Sequence, residues 1–249
     1  MISPAQLAYS RIAVSPEEKT IIFLHDSLGC ITLWHEFPEQ LCRALSVNGL
    51  VYDRQGHGQS PPLTHSRTPR YLEEEADDLI ALMDYHGIGK AMLFGHSDGG
   101  SIALIAAAKY PDRMQAVVAE AAHVLVEDMT ITGIERAVQQ YEQNNLAPKL
   151  KRYHGAKTNA LFYAWAHTWT SPGFYYWNIE YLLPDIKCPV LVIQGADDEY
   201  GSDRQVSAIV NAVSGFASSF IIPMAGHIPH RTHTEAVTNA VQEFLQSNK

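Results

Sequence analysis

Cysteine is scarce: Cys30, Cys42 and Cys188 are the only three in 249 residues, with no C-x-x-C among them. That excludes a disulfide framework and a thiolate metal site, and reads as free thiols in a reducing compartment. Positive charge is outnumbered, with 18 Lys and Arg against 27 Asp and Glu and a net charge of −9. The basic stripe that nucleic acid or an anionic membrane would require is missing. No apolar run approaches the ~18 residues of a membrane span. Met1 to Gln6 lacks the basic and apolar regions of a secretory leader. No internal repeat or low-complexity tract stands out. These absences predict a cytoplasmic protein; the expected partner is a small molecule, and the expected state a monomer or homodimer.

What the chain does have is apolar surface: 46% hydrophobic residues against 18% charged, enough to bury one large core. Short β-branched or apolar runs alternate with segments of helical spacing. The runs are 20–24, 49–52, 91–94, 115–121, 189–194 and 217–222, with a weak edge strand at 7–14. Helices are expected at 34–45, 71–86, 101–109 and 234–246. The pattern predicts an α/β fold, a mostly parallel central sheet with helices on both faces. From residue 123 to 183 the alternation gives way to helical segments at 134–143, 147–154 and 159–168, crowded with aromatic residues. The expected division is a core of 1–122 and 184–249 with a helical cap insertion at 123–183.

The chain is organised around Gly95-His96-Ser97-Asp98-Gly99, which fits G-x-S-x-G between an apolar run and an Ala-rich helix. A strand turning sharply into a helix forces Ser97 into a strained conformation and leaves its hydroxyl at the strand tip. The helix N-terminus behind it offers free N–H groups and partial positive charge to a developing oxyanion. Such a serine needs a base to take its proton and a carboxylate to orient the base. In sheets of this kind reactive groups gather at the carboxyl ends of strands. His25 to Gly29, Asp198 and His227 all follow such runs, and the order Ser, acid, His is the one of α/β-hydrolases.

Over nearly its whole length the chain resembles the α/β-hydrolase superfamily. Gly95-His-Ser-Asp-Gly-Gly is similar to the family's nucleophile elbow, which implies Ser97 as nucleophile. Gly195-Ala-Asp-Asp and Ala225-Gly-His likewise imply Asp198 as acid and His227 as base. The Asp53 to Ser60 segment resembles the D-x-R-G-x-G-x-S loop. His25-Asp-Ser-Leu-Gly resembles the H-G-x-x-G oxyanion loop, with Asp26 where Gly is usual; the match implies the backbone N–H groups of Ser27 and Asp98 as oxyanion donors. The resemblance implies no cofactor and no metal.

Alternatives remain among neighbours. Asp197 adjoins Asp198, and Glu120, after an earlier strand, is a second candidate acid. His230 and His233 follow His227 at spacings of three, but Pro229 breaks helical facing, so a metal site is not expected there; His230 reads as a supporting or capping residue. His96 and His25 read as packed within their loops, and His123 as facing the pocket or satisfying backbone. Trp165 and Trp169, four apart on one helical face, are with His123 the expected substrate contacts. The expected activity is hydrolysis of a small, largely apolar ester, enol ester, thioester or lactone through an acyl-enzyme. Carbon–carbon bond hydrolysis of a diketone-like substrate, or ligand binding with slow turnover, are the alternatives.

Overall fold

The computed structural model describes residues 3–17, 19–143 and 145–248. Among the described residues, seven strands form one sheet: β1 (Tyr9–Ile12), β2 (Thr20–Leu24), β3 (Asn48–Tyr52), β4 (Ala91–His96), β5 (Met114–Glu120), β6 (Val190–Gly195) and β7 (Ala217–Ile222). Their spatial order is β1-β3-β2-β4-β5-β6-β7. Only β1 is antiparallel, pairing Tyr9 with Tyr52 on the sheet edge, and every other pair is parallel.

The central strands read as unbroken apolar runs because both sheet faces are covered. Alternate residues go to opposite sides. Ile22, Leu24, Leu93, Val117 and Val192 join the side packed by α2 (Tyr71–Tyr85), α3 (Asp98–Lys109) and α7 (Asp203–Ala212). Ile21, Phe23, Phe94, Val118 and Leu191 join the side packed by α1 (Phe37–Leu45) and α9 (Thr234–Ser247). Between β5 and β6 run α4 (Asp128–Glu142), α5 (Ala147–His154) and α6 (Thr158–Trp169), and a single turn, α8 (Pro229–Thr232), precedes α9.

After β3 the chain returns across β2 to lay down β4 on the other side, so the strand order reverses between β2 and β4. In open α/β sheets a crevice opens at such a switch point, beyond the carboxyl ends of the strands. Leu24 pairs with Gly95, so the loop after β2 and the turn after β4 stand side by side there.

Several boundaries differ from the sequence expectation. The helix expected from residue 34 begins at Phe37, after a 3₁₀ turn over Ile31–Trp34. The helix expected from 101 begins at Asp98, because glycines 99 and 100 are helical despite their low propensity. Helix α7 had no expected counterpart, although Val206, Ile209 and Val213 recur at helical spacing and Ser202 caps it by accepting from the Arg204 N–H. No described helix is long and apolar enough to cross a membrane. All three cysteines are free and buried, and burial pushes their thiols up to about 11 for Cys30 and Cys188 and about 12 for Cys42.

Candidate active site

Ser97 joins β4 to α3 with φ 56° and ψ −121°. The turn is this sharp only because its neighbours lack side chains: a Cβ on Gly95 would lie 2.1 Å from the Gly99 carbonyl oxygen, and one on Gly99 2.0 Å from that of Leu24. The Ser97 hydroxyl lies 3.0 Å from His227 Nε2. His227 Nδ1 lies 2.9 Å from each carboxylate oxygen of Asp198. Three side chains spread over 130 residues thus meet beyond the ends of β4, β6 and β7.

Asp198 is itself held. Its Oδ1 accepts the Tyr200 N–H at 2.8 Å and its Oδ2 accepts Gln194 Nε2 at 2.7 Å. Burial opposes its ionisation, but the charge and hydrogen bond of His227 and the Tyr200 N–H outweigh that and hold the carboxyl below its ordinary value. Gln194, on β6, ties the acid to the sheet and also reaches the Gly201 carbonyl. Nothing in the sequence singled it out, since an amide inside an apolar strand run carries no motif. Glu120, the second candidate acid, does not meet His227. Its two oxygens accept the N–H of His230 at 2.7 Å and His230 Nδ1 at 2.5 Å.

The Ser27 N–H has no partner among the described residues, and Asp98 opens α3, where an N–H has no acceptor in its own helix. Both residues line the open cavity of about 690 Å³ that contains Ser97 and His227. The loop carrying Ser27 is built tightly. Asp26 Oδ1 accepts the Leu28 N–H at 2.7 Å, and the Asp26 carbonyl accepts the Gly29 N–H. The fully buried Arg54 donates from Nη2 to the His25 and Asp26 carbonyls at 3.1 and 2.7 Å. The Asp53 carboxylate accepts the N–H groups of Ile31 and Gln59 at 2.6 and 2.7 Å. A Cβ at Gly58, where φ is 42°, would lie 2.0 Å from that carboxylate.

Residues of α4 to α6 complete the cavity wall. Trp165, Trp169 and His123 all line it. Trp169 Nε1 donates to the Tyr71 hydroxyl, which donates in turn to Asp98 Oδ2, each at 2.7 Å, so α6 is linked to the elbow itself. His123 serves both of its expected ends, lining the cavity while its Nε2 contacts the Tyr200 carbonyl at 3.0 Å. Burial lowers its pKa and so opposes its protonation. His154 of α5 accepts the Gly58 N–H at 3.0 Å and donates to the Leu28 carbonyl at 2.9 Å, pinning α5 to both loops. The exposed cations Lys149, Arg152 and Arg231 also line the cavity.

Among the described residues one group of potential metal donors assembles: His96, Glu120 and His230, within 4.8 Å of one another. The Glu120 oxygens and His230 Nδ1 are spent on each other, and the His96 nitrogens face Asp26 and the His227 carbonyl. An ion would have to break bonds that already satisfy these groups.

Residues 21–240 match the alpha/beta hydrolase family. The chain belongs to that family. Among curated proteins it is 28% identical to human "Serine hydrolase BPHL" over 206 residues, 79% of this chain and 69% of that protein. It is 27% identical to "Putative carbamate hydrolase RutD" of Caulobacter sp. (strain K31), covering 92% of this chain and 91% of that one. Among solved structures, the enol-lactonase of Burkholderia xenovorans superposes with a TM-score of 0.75 at 18% identity, over 96% of both chains. A thermophilic esterase of Thermogutta terrifontis superposes with the same score at 22% identity, over 97% of this chain and 93% of that one. These likenesses bear on the fold.

Proposed function

We propose that this hydrolase cleaves a small ester, enol ester, thioester or lactone through an acyl-enzyme on Ser97. The observation that carries the reading is the 3.0 Å contact between the Ser97 hydroxyl and His227 Nε2 at the wall of the cavity. Ser97 Oγ attacks the carbonyl carbon while its proton passes to His227 Nε2. Asp198 holds the Nδ1–H tautomer and stabilises the imidazolium. The Ser27 and Asp98 N–H groups take the oxyanion as it forms. Nε2 then gives the proton to the leaving alcohol, thiol or enol. Water, deprotonated by the same nitrogen, attacks the acyl carbonyl, and the serine is released with the acid. The segment 123–183 acts as a cap whose Trp165 and Trp169 rings meet the apolar part of the substrate.

The test is labelling by a fluorophosphonate, followed by turnover of p-nitrophenyl esters of increasing chain length. The panel should include hemiesters ending in a carboxylate, because Lys149, Arg152 and Arg231 line the cavity. Ser97→Ala and His227→Ala should each lower kcat by about 10³-fold or more, and Asp198→Asn by about as much. Near-normal turnover in Asp198→Asn beside a dead Glu120→Gln would overturn the choice of acid. A wild-type chain that takes no label would favour the ligand-binding reading over the acyl-enzyme.

A further inference from the structure

We propose that Asp26 and His96 form a charged strut that positions the His227 loop against the oxyanion loop. The proposal rests on the reading of His227 as base and of Ser27 as oxyanion donor. His96 is buried beneath the elbow, and both of its ring nitrogens face acceptors. Nδ1 lies 3.4 Å from Asp26 Oδ2, and Nε2 lies 2.8 Å from the backbone carbonyl of His227. A neutral imidazole carries one N–H and would leave one of these contacts oxygen against a bare nitrogen. Only the imidazolium can donate to the His227 carbonyl while setting its second N–H and its charge against the Asp26 carboxylate. The other carboxylate oxygen of Asp26 caps the Leu28 N–H at 2.7 Å. One side chain therefore shapes the loop that presents Ser27 and, through His96, holds the backbone of residue 227. A glycine at position 26, the residue usual in the resembling loops, has no carboxylate to do either.

Of the groups around His96, the Asp26 and Glu120 carboxylates favour its charge. Asp26 faces it from the loop after β2, Glu120 from β5, His230 from α8 and His227 from the loop after β7. Trp34 packs edge-on from the 3₁₀ turn. Burial works against protonation, but the Asp26 bond and the Glu120 charge outweigh it and raise the His96 pKa to about 9. The same bond holds Asp26 well below the ordinary carboxylate range against its own desolvation. A folded pKa above the unfolded one means the strut's contribution to stability is fully present below pH about 6.5 and lost as pH rises through about 9, while the folded chain keeps His96 charged until near the latter value. His96 and Asp26 touch no reacting atom, so they are positioning residues, and their loss should fall on kcat more than on KM.

The test uses His96→Gln and Asp26→Asn in the full chain. Glutamine can still donate to the His227 carbonyl but cannot titrate; asparagine can still cap Leu28 but carries no charge. In the wild type, kcat should fall with an apparent pKa near 9 while KM stays level. His96→Gln should lower kcat about tenfold at neutral pH and abolish that alkaline fall, and Asp26→Asn should move the fall down by about one pH unit or more. NMR titration of the His96 ring, repeated in Ser97→Ala, reads the pair without turnover: a midpoint near 9 supports it. A midpoint near the ordinary histidine value, or a His96→Gln chain whose kcat and pH profile match wild type, would overturn the strut. A lowered Tm with an unchanged pH profile would also overturn it, as a structural role alone. If the wild type neither labels nor hydrolyses, the acyl-enzyme reading fails, while the NMR midpoint still decides the ion pair.

Discussion

At Ser97 the backbone holds a serine where φ is positive, a conformation that costs a non-glycine residue on the order of 1–3 kcal/mol. Two variants separate that strain from chemistry, because Ser97→Ala and Ser97→Gly both remove the hydroxyl and only glycine accepts the angle. Ser97→Gly should be the more stable by about 1 kcal/mol, seen as a Tm about 2–4 °C above that of Ser97→Ala in scanning calorimetry. Equal melting temperatures would mean the elbow stores no strain. Gln194 makes a second argument at this scale. Its amide aligns the Asp198 carboxylate, so Gln194→Leu should lose a hydrogen bond to a charged group, worth about 1.5 kcal/mol. The expected result is kcat lowered about tenfold with KM unchanged, checked on whichever p-nitrophenyl ester turns over fastest.

Helix α3 is the element on which the site stands, and every residue from Asp98 to Ala108 is buried. Buried all round, it shows no amphipathic stripe, and its Ala-rich composition lets it pack against both the sheet and α2. Ala106→Leu should overpack this contact and cost about 1–3 kcal/mol, lowering Tm by several degrees while a surface change such as Lys109→Gln does not. The helix was legible from its Ala, Leu and Ile residues, but its start was not. Glycines 99 and 100 read as loop, yet they open the helix, and they must be glycine because the turn brings them against the Leu24 carbonyl and the Ala122 side chain. That requirement is a tertiary contact, and a single sequence does not display it. The same holds for the site. Ser97, Asp198 and His227 each end an apolar run inside a short motif, and so could be read. Gln194, His96 and the pairing of Glu120 with His230 depend on which strands lie side by side. The Asp26 departure was visible, but its partner was not.

Over the whole molecule, two of the histidines that hold the loops framing the site, His25 and His154, function only when neutral. His25 Nε2 accepts the Arg54 N–H at 3.1 Å, leaving Nδ1–H to donate to the Asp26 carbonyl at 2.7 Å. His154 accepts the Gly58 N–H on Nδ1 and donates to the Leu28 carbonyl from Nε2. In each, a second proton would set N–H against N–H. Burial accordingly depresses both pKa values. A folded pKa below the unfolded one gives stability that is present above pH about 6.5 and lost as pH falls, because the unfolded chain takes up the proton first. The Tm should therefore decline between pH about 6.5 and 5, before most carboxylates titrate. Each such histidine contributes up to about 1.4 kcal/mol per pH unit in that window. His96 has the opposite sign and weakens the fold only on the alkaline side, as pH rises from about 6.5 through about 9. His154→Gln isolates one contribution, since the amide keeps an acceptor for Gly58 and a donor for Leu28 but does not titrate. Its Tm should fall less steeply with acidification than that of the wild type, measured by calorimetry at matched ionic strength. A His154→Gln curve parallel to the wild type would show that His154 takes up its proton without opening the loops around Ser97, and that the acid sensitivity lies elsewhere.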